Sequence, residues 1–253
     1  MKVTFLGTGT SQGVPVIGCD CEVCRSIDFR DKRLRSSIHI EVDGLSIVVD
    51  TGPDFRQQML REGVKKLDAV LFTHEHKDHT AGMDDIRSFN FKQKKDMPIY
   101  GRAHVIEQLK REFAYVFASH KYPGVPQVKV NVIENEPFEV EGVNIIPIEV
   151  MHYKLPVFGF RIKDFTYITD AKTVAPEEVE KIRGSKVLVI NALQFAPHIS
   201  HMPMEEAIAF AQDIGAEHTY FTHISHRLGK HKPVEAKLPE GMTIAFDGQK
   251  ITL

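Results

Sequence analysis

Short apolar runs broken by turn-forming residues fill this chain, and they carry two periodicities. Alternating or unbroken apolar stretches predict strands at Lys2 to Leu6, Ser37 to Val42, Leu45 to Asp50 and Ala69 to Thr73, with an Asp43-Gly44 turn suited to a hairpin. The same grammar predicts strands at Ile99-Tyr100, Val128 to Ile133, Phe138 to Val140, Val143 to Met151, Val157 to Ile162, Thr166 to Thr169, Val187 to Asn191, Thr219 to Thr222 and Thr243 to Ala245. Helical spacing lies between them. Asp54 to Glu62 reads as a helix ended by Gly63, with Phe55, Met59 and Leu60 on its inner face. Ala103 to Phe113, Pro176 to Ile182 and Pro203 to Ile214 follow, the last with Ala207, Ile208, Ala211 and Ile214 in helical register. Strands punctuated by helices in two similar halves predict an α/β (α+β) sandwich of two sheets with helices outside.

Composition narrows this picture. At 253 residues, 42% hydrophobic and 26% charged, the chain can build one sizeable core. No low-complexity tract, linker or solenoid repeat divides it, so one domain over 1–253 is expected. A net charge of −2 provides no general attraction for polyanions and argues against a nucleic-acid partner. No stretch approaches the roughly 18 apolar residues of a membrane span, and the opening apolar run is too short for a signal-peptide core, so a cytoplasmic protein with no membrane partner is expected. The three cysteines, Cys19, Cys21 and Cys24, form an odd, tight cluster that cannot be a self-contained disulfide framework, and metal binding explains them better.

The densest chemistry is Thr73-His74-Glu75-His76-Lys77-Asp78-His79, directly after the apolar Ala69-Val70-Leu71-Phe72. A strand that stops at such a cluster delivers imidazoles and a carboxylate to one end of a sheet, which is how borderline divalent metals are held. Three further strands end the same way, His152 after Ile148 to Met151, Asp170 after Tyr167 to Thr169, and His223 after Tyr220 to Thr222. In order and kind these residues resemble the metallo-β-lactamase superfamily over essentially the whole chain. The resemblance implies a four-layer αββα sandwich with one metal held by His74, His76 and His152, a second by Asp78, His79 and His223, and Asp170 bridging them. It also makes Asp50 an acceptor that orients a ligand. Glu75 points toward a diiron variant of the fold, but His76 occupies the ligand slot, which favours hydrolysis.

The opening Gly7-Thr8-Gly9-Thr10-Ser11-Gln12-Gly13-Val14-Pro15, followed by the cysteine cluster, resembles the phosphodiesterase of the carbon–phosphorus lyase pathway (PhnP-like), with a related arrangement in pyrroloquinoline quinone biosynthesis protein B. The resemblance implies that His226 completes a Cys3His structural zinc site with Cys19, Cys21 and Cys24. Four protein ligands leave no position for water there. The main site would hold two divalent metals, manganese or zinc, and the expected reaction is attack on a small, cyclic ribose-type phosphodiester by a hydroxide bridging them. Catalytic roles fall to Asp78 and to His201, which matches the family's catalytic acid; His198, three residues earlier, is the competing proton donor and otherwise a solvent-facing loop residue. A helical lid insertion is expected at about 86–126, where Phe91, Tyr115, Phe117 and Tyr122 read mostly as local core and Arg87, His120 or Lys121 could meet a substrate phosphate. His39, His104, His218 and His231 read as packing or surface residues, and Lys230-His231-Lys232 as a solvated loop. Rival functions are a tRNA 3′-processing endonuclease, for which an extended arm and basic surface are missing, and a noncatalytic metal protein of the quinone-pathway kind. Lactonase or thioesterase activity is a weaker rival. Family analogy implies a homodimer.

Overall fold

Alternation along the first strands decides the layering. In the computed structural model, which describes residues 1–253, Val3 and Phe5 of β1 (Lys2–Gly7), Ile38, Ile40 and Val42 of β2 (Ser37–Val42) and Ile47 and Val49 of β3 (Leu45–Val49) enter one buried layer. Leu6 and Val48, out of phase with them, enter another. These three strands form an antiparallel meander, and β4 (Ala69–Leu71), β5 (Met97–Gly101) and β6 (Val128–Val132) then add in parallel.

The second half supplies β7 (Phe138–Val140), β8 (Val143–His152), β9 (Leu155–Ile162), β10 (Phe165–Tyr167), β11 (Thr173–Val174), β12 (Val187–Asn191), β13 (His218–Thr222) and β14 (Met242–Ile244). Finally β15 (Lys250–Thr252) returns to pair with β1. The first sheet therefore runs β15-β1-β2-β3-β4-β5-β6 and the second β11-β8-β9-β10-β12-β13-β14, with β7 beside β8.

Parallel neighbours need crossovers, and helices provide them. On the first sheet these are α1 (Phe55–Glu62), α2 (Lys77–Thr80), α3 (Arg87–Gln93), α4 (Ala103–Glu112) and α5 (Ala114–Phe117); on the second, α6 (Pro176–Ile182), α7 (Met204–Ile214) and α8 (His231–Glu235). The inter-sheet layer joins the meander residues to Phe158, Phe160, Ile162, Phe165, Tyr167 and Val189. Outside the first sheet, Phe55, Met59, Phe89, Val105, Ile106 and Leu109 pack on Val48, Val70, Phe72 and Ile99. Outside the second, Met204, Ala207, Ala211 and Ile214 pack on Leu188, Ile190 and Phe221. The order helices, sheet, sheet, helices is the αββα sandwich, the metallo-β-lactamase fold. No helix is long and apolar enough to cross a membrane.

Several expectations change. Leu60 is 64% exposed, because the buried face of α1 is made by Phe55, Gln58 and Met59. The 86–126 stretch is not purely a helical insertion: β5 lies between β4 and β6, and α3 and α4 bury Phe89, Val105, Ile106 and Leu109 in the outer core. Of the four aromatics expected as local core, Phe117 packs against that outer core, whereas Phe91, Tyr115 and Tyr122 are exposed. Lys230-His231-Lys232 is no solvated loop, because it opens α8 with His231 2% exposed. Three functional strands also stop short of their predicted ends, β3 at Val49, β4 at Leu71 and β10 at Tyr167. Just beyond β3, β10 and β13, the residues Asp50, Asp170 and His223 turn into the left-handed region at φ 66°, 60° and 57°. Such backbone in non-glycine residues clusters at functional sites, where surrounding contacts hold it.

Candidate active site

The chain directly after β4 carries His74 and His76, and α2 carries Asp78 and His79. Two hydrogen bonds seat α2 on the loop after β3: Thr51 N–H donates to the His79 carbonyl at 2.8 Å and Gly82 N–H to the Thr51 carbonyl at 2.8 Å. A Cβ on Gly52 would collide with the Asp78 carbonyl oxygen, and one on Gly82 with the Gly52 carbonyl, so both positions need glycine for the close approach. The second sheet delivers His152 at the end of β8, Asp170 beyond β10 and His223 beyond β13. Phe158 N–H of β9 donates to the Thr73 carbonyl at 3.0 Å, which ties the two sheets together beside His74.

These residues meet. Ligand-capable atoms of His74, His76 and His152 lie within 4.8 Å of one another, as do those of Asp78, His79 and His223; Asp170 groups with His74 and His79, and again with His152 and His201. Hydrogen bonds then determine which nitrogen of each ring faces the centre. Asp50 Oδ2 accepts from His79 Nδ1 at 2.7 Å. Thr73 Oγ1 donates to the same Asp50 oxygen at 2.8 Å, so it accepts from His74 Nδ1 at 2.9 Å. Ser36 Oγ donates to the Gly9 carbonyl at 2.9 Å and accepts from His223 Nδ1 at 3.1 Å. The Ser200 carbonyl accepts from His152 Nδ1 at 2.9 Å. All four rings therefore carry hydrogen on Nδ1 and present Nε2 lone pairs to one space.

That arrangement suits a cation. His79 Nε2 is buried without a hydrogen-bond partner, 3.1 Å from Asp78 Oδ2 and 3.3 Å from Asp170 Oδ2. A lone pair facing two carboxylates in a dry site is repulsive unless positive charge lies between them. The electrostatics of the site make the same demand. Burial would lower the His79 ring, yet Asp78, Asp170 and Asp50 hold it well above the ordinary histidine value. Burial would raise Asp170, yet His223, His79 and His201 hold it well below the carboxylate range. Burial lowers His74 strongly and takes His223 to about 4, leaving both rings neutral, the form that binds metal.

His201, 8% exposed, places Nε2 3.0 Å from Asp170 Oδ1 and stacks on His223 with ring centroids 5.0 Å apart. His198 is not a solvent-facing loop residue; it is half-buried, and its Nδ1 lies 3.1 Å from His201 Nδ1. Two basic residues of the 86–126 stretch make local contacts, Arg87 with Asp84 at 3.2 Å and Lys121 with Gln127 at 3.4 Å.

A second cluster lies apart from this one. Cys19, Cys21 and Cys24 Sγ sit 3.3, 3.5 and 3.5 Å from His226 Nδ1. A tetrahedral zinc with bonds of 2.3 Å to sulfur and about 2.05 Å to nitrogen separates S and N by roughly 3.6 Å, close to these values. The Cys24 backbone N–H donating to Cys21 Sγ lowers that thiol to about 6, while burial raises Cys24 to about 11. Ile224-Ser225 connects His223 to His226, and Thr10 N–H donates to the Ile224 carbonyl at 3.1 Å, so the glycine-rich opening lies along the segment between the two clusters.

Sequence reasoning did not single out Ser36, Thr73, Ser200 or Asn191 for the centre. Asn191, at the end of β12, accepts from Ala171 N–H at 2.7 Å and donates to the Ala171 carbonyl at 3.0 Å, which clamps the residue after Asp170. A polar residue closing the apolar Val187 to Ile190 run was the available signal for Asn191; nothing local marks the serines. A groove of about 730 Å³ lies on the outer face of the first sheet around Lys2, Thr4, His39 and Lys250 and contains none of the candidate ligands.

Residues 46–224 match the family model of the beta-lactamase superfamily domain. A crystal structure described as a new diphosphatase from the PhnP family superposes with a TM-score of 0.93 at 39% identity, covering 100% of this chain and 97% of that one. An octanoyltransferase of Porphyromonas gingivalis is 39% identical over 251 residues, 98% of this chain and 51% of that protein. A ribonuclease Z of Bradyrhizobium diazoefficiens is 28% identical over 162 residues, 62% of this chain and 48% of that protein. The chain thus spans about half the length of these curated relatives.

Proposed function

This chain belongs to the metallo-β-lactamase superfamily as a PhnP-like member, and on that premise we propose that it is a metal-dependent hydrolase of small, cyclic ribose-type phosphodiesters. The observation that carries the reading is the convergence of four Nε2 lone pairs with the Asp78 and Asp170 carboxylates, His201 lying against their edge. In this reading His74, His76 and His152 would hold one divalent cation and Asp78, His79 and His223 a second, with Asp170 available to either. Zinc and manganese suit these nitrogen and oxygen donors. When bound, the cations supply Lewis-acid polarisation of the phosphoryl group and acidify water.

The chain's own residues do the rest. Asp50, Thr73, Ser36 and the Ser200 carbonyl hold the rings in the ligating tautomer. Asp78, 13% exposed against 3% for Asp170, is the more open carboxylate and orients the attacking water. His201 Nε2 gives a proton to the departing alkoxide. The Cys3His tetrad holds a structural zinc that braces the loop after His223.

The similarity to a PhnP-family diphosphatase favours a phosphoryl substrate and makes diphosphate cleavage the second reading. The two differ in demand, since phosphate leaves without a proton and an alkoxide does not. His201→Ala should therefore spare metal content and cut turnover of a poorly activated diester by about 10²- to 10⁴-fold more than that of bis(p-nitrophenyl) phosphate; equal loss on both removes the acid role. The activity itself is tested on protein of measured metal content with a ribose cyclic phosphate, a diphosphate, precursor tRNA, a lactone and an octanoyl donor in parallel. Turnover of precursor tRNA without the ribose cyclic phosphate would overturn the small cyclic substrate, and turnover of the lactone or the octanoyl donor alone would overturn the phosphodiester reading.

A further inference from the structure

Beside the centre, His198, Ser200 and His201 form a hydrogen-bonded group. Ser200 N–H can only donate, and it donates to His198 Nδ1 at 3.3 Å. His198 Nδ1 therefore carries a lone pair, and the hydrogen of that ring sits on Nε2. His201 Nδ1 approaches the same His198 nitrogen at 3.1 Å and Ser200 Oγ at 3.0 Å. Two lone pairs cannot share so short a contact, so the hydrogen lies on His201 Nδ1. Ser200 Oγ, 3.3 Å from His198 Nδ1, links the two rings a second time. With its Nδ1–H committed outward, His201 offers Nε2 alone to the centre, 3.0 Å from Asp170 Oδ1.

We propose that His198 is a positioning residue for His201: it accepts the Nδ1 hydrogen and holds the ring in both protonation states, so that the His201 imidazolium gives up only its Nε2 proton, to the departing alkoxide, and is left as the neutral Nδ1–H tautomer. This rests on the reading of His201 as proton donor. Without His198, nothing but the Ser200 hydroxyl opposes the other tautomer, in which a neutral His201 donates Nε2–H to Asp170 and keeps that proton. His198 itself touches no candidate ligand; its polar contacts are His201 and Ser200. The backbone on which this rests is also fixed from the site, because the carbonyl of Ser200 accepts from His152.

The test combines ring spectroscopy with kinetics. In zinc-loaded protein, long-range proton–nitrogen correlation spectra should show His201 with Nδ1 protonated and His198 with Nδ1 bare; a protonated His198 Nδ1 overturns the proposal without any substrate. His198→Leu removes the acceptor and should lower kcat on a poorly activated diester by roughly 10- to 100-fold, with KM and the rate on bis(p-nitrophenyl) phosphate changed by less than about threefold. His198→Asn, which places an amide oxygen where Nδ1 stood, should recover most of the loss. Equal loss on both esters, no recovery by asparagine, or a larger effect from Ser200→Ala than from His198→Leu refutes it. Should the wild type turn over neither ester, the phosphodiester reading falls and the ring spectra alone decide this one.

Discussion

Asp50→Asn tests the organisation of the centre most directly. The carboxylate is fully buried and takes three hydrogen bonds, Thr73 N–H to Oδ1 at 2.9 Å, and Thr73 Oγ1 at 2.8 Å and His79 Nδ1 at 2.7 Å to Oδ2. An amide has one oxygen to offer. If that oxygen keeps Thr73 N–H, the NH2 group faces His79 Nδ1 and forces the hydrogen onto Nε2, which turns the lone pair away from Asp78 and Asp170. If it keeps His79, two N–H groups oppose each other in a dry site, a penalty of about 1–3 kcal/mol. Either outcome weakens divalent-metal binding by roughly 10- to 100-fold, about 1.4 to 2.8 kcal/mol. Competition against a chelator of known affinity measures the change, and circular dichroism checks that the fold persists. A variant that holds zinc or manganese as tightly as the wild type would refute the tautomer argument, and with it the role given to Thr73 and Ser36.

Three further outcomes are expected. Gly52→Ala drives a methyl into the Asp78 carbonyl and should cost about 1–3 kcal/mol in denaturant melts while lowering metal affinity, because α2 carries both Asp78 and His79. Cys21→Ser should release one zinc per chain and lower the melting temperature, while metal at the histidine centre, measured by elemental analysis, stays bound. His231, held at about 4 by burial and by Arg33 at 3.1 Å, also faces Arg30, Asp28, Asp31 and Glu235. It stays neutral in the fold, whereas the unfolded ring takes up a proton below the ordinary histidine value of about 6.5. Its contribution is therefore complete above that value and is lost as pH falls toward 4, on the order of 2 kcal/mol by pH 5. His231→Asn keeps an acceptor for Arg33, and its unfolding free energies from denaturant melts at pH 7.5 and 5 should differ less than those of the wild type by that amount.

Much of this protein was legible in the order of its residues. Alternation in Ser37 to Val42 and the apolar run Ala69 to Phe72 are local consequences of side-chain direction along a strand, so element types and the two-sheet layering follow from the pattern. Candidate ligands could be found because each ends an apolar run, and the cysteines because they crowd within one loop. Exposure inside a helix was less legible: Leu60, Phe91 and Tyr115 are apolar by type, but the face that meets the sheet is set by how the helix docks. Local sequence is also silent on αL residues such as Asp170 and His223, whose backbone is held by neighbours remote in the chain.

Hydrogen-bond partners lay furthest from view. Ser36 reaches His223 across 187 positions, Asp50 reaches His79 across 29, and Ser200 reaches His152 across 48. Nothing within a few residues of either partner encodes those meetings. Sequence alone determined which donors this protein owns and at which strand ends they stand. Only the closed sandwich decided which nitrogen of each ring faces inward, because a tautomer is chosen by whatever acceptor the fold brings to the opposite side of the ring.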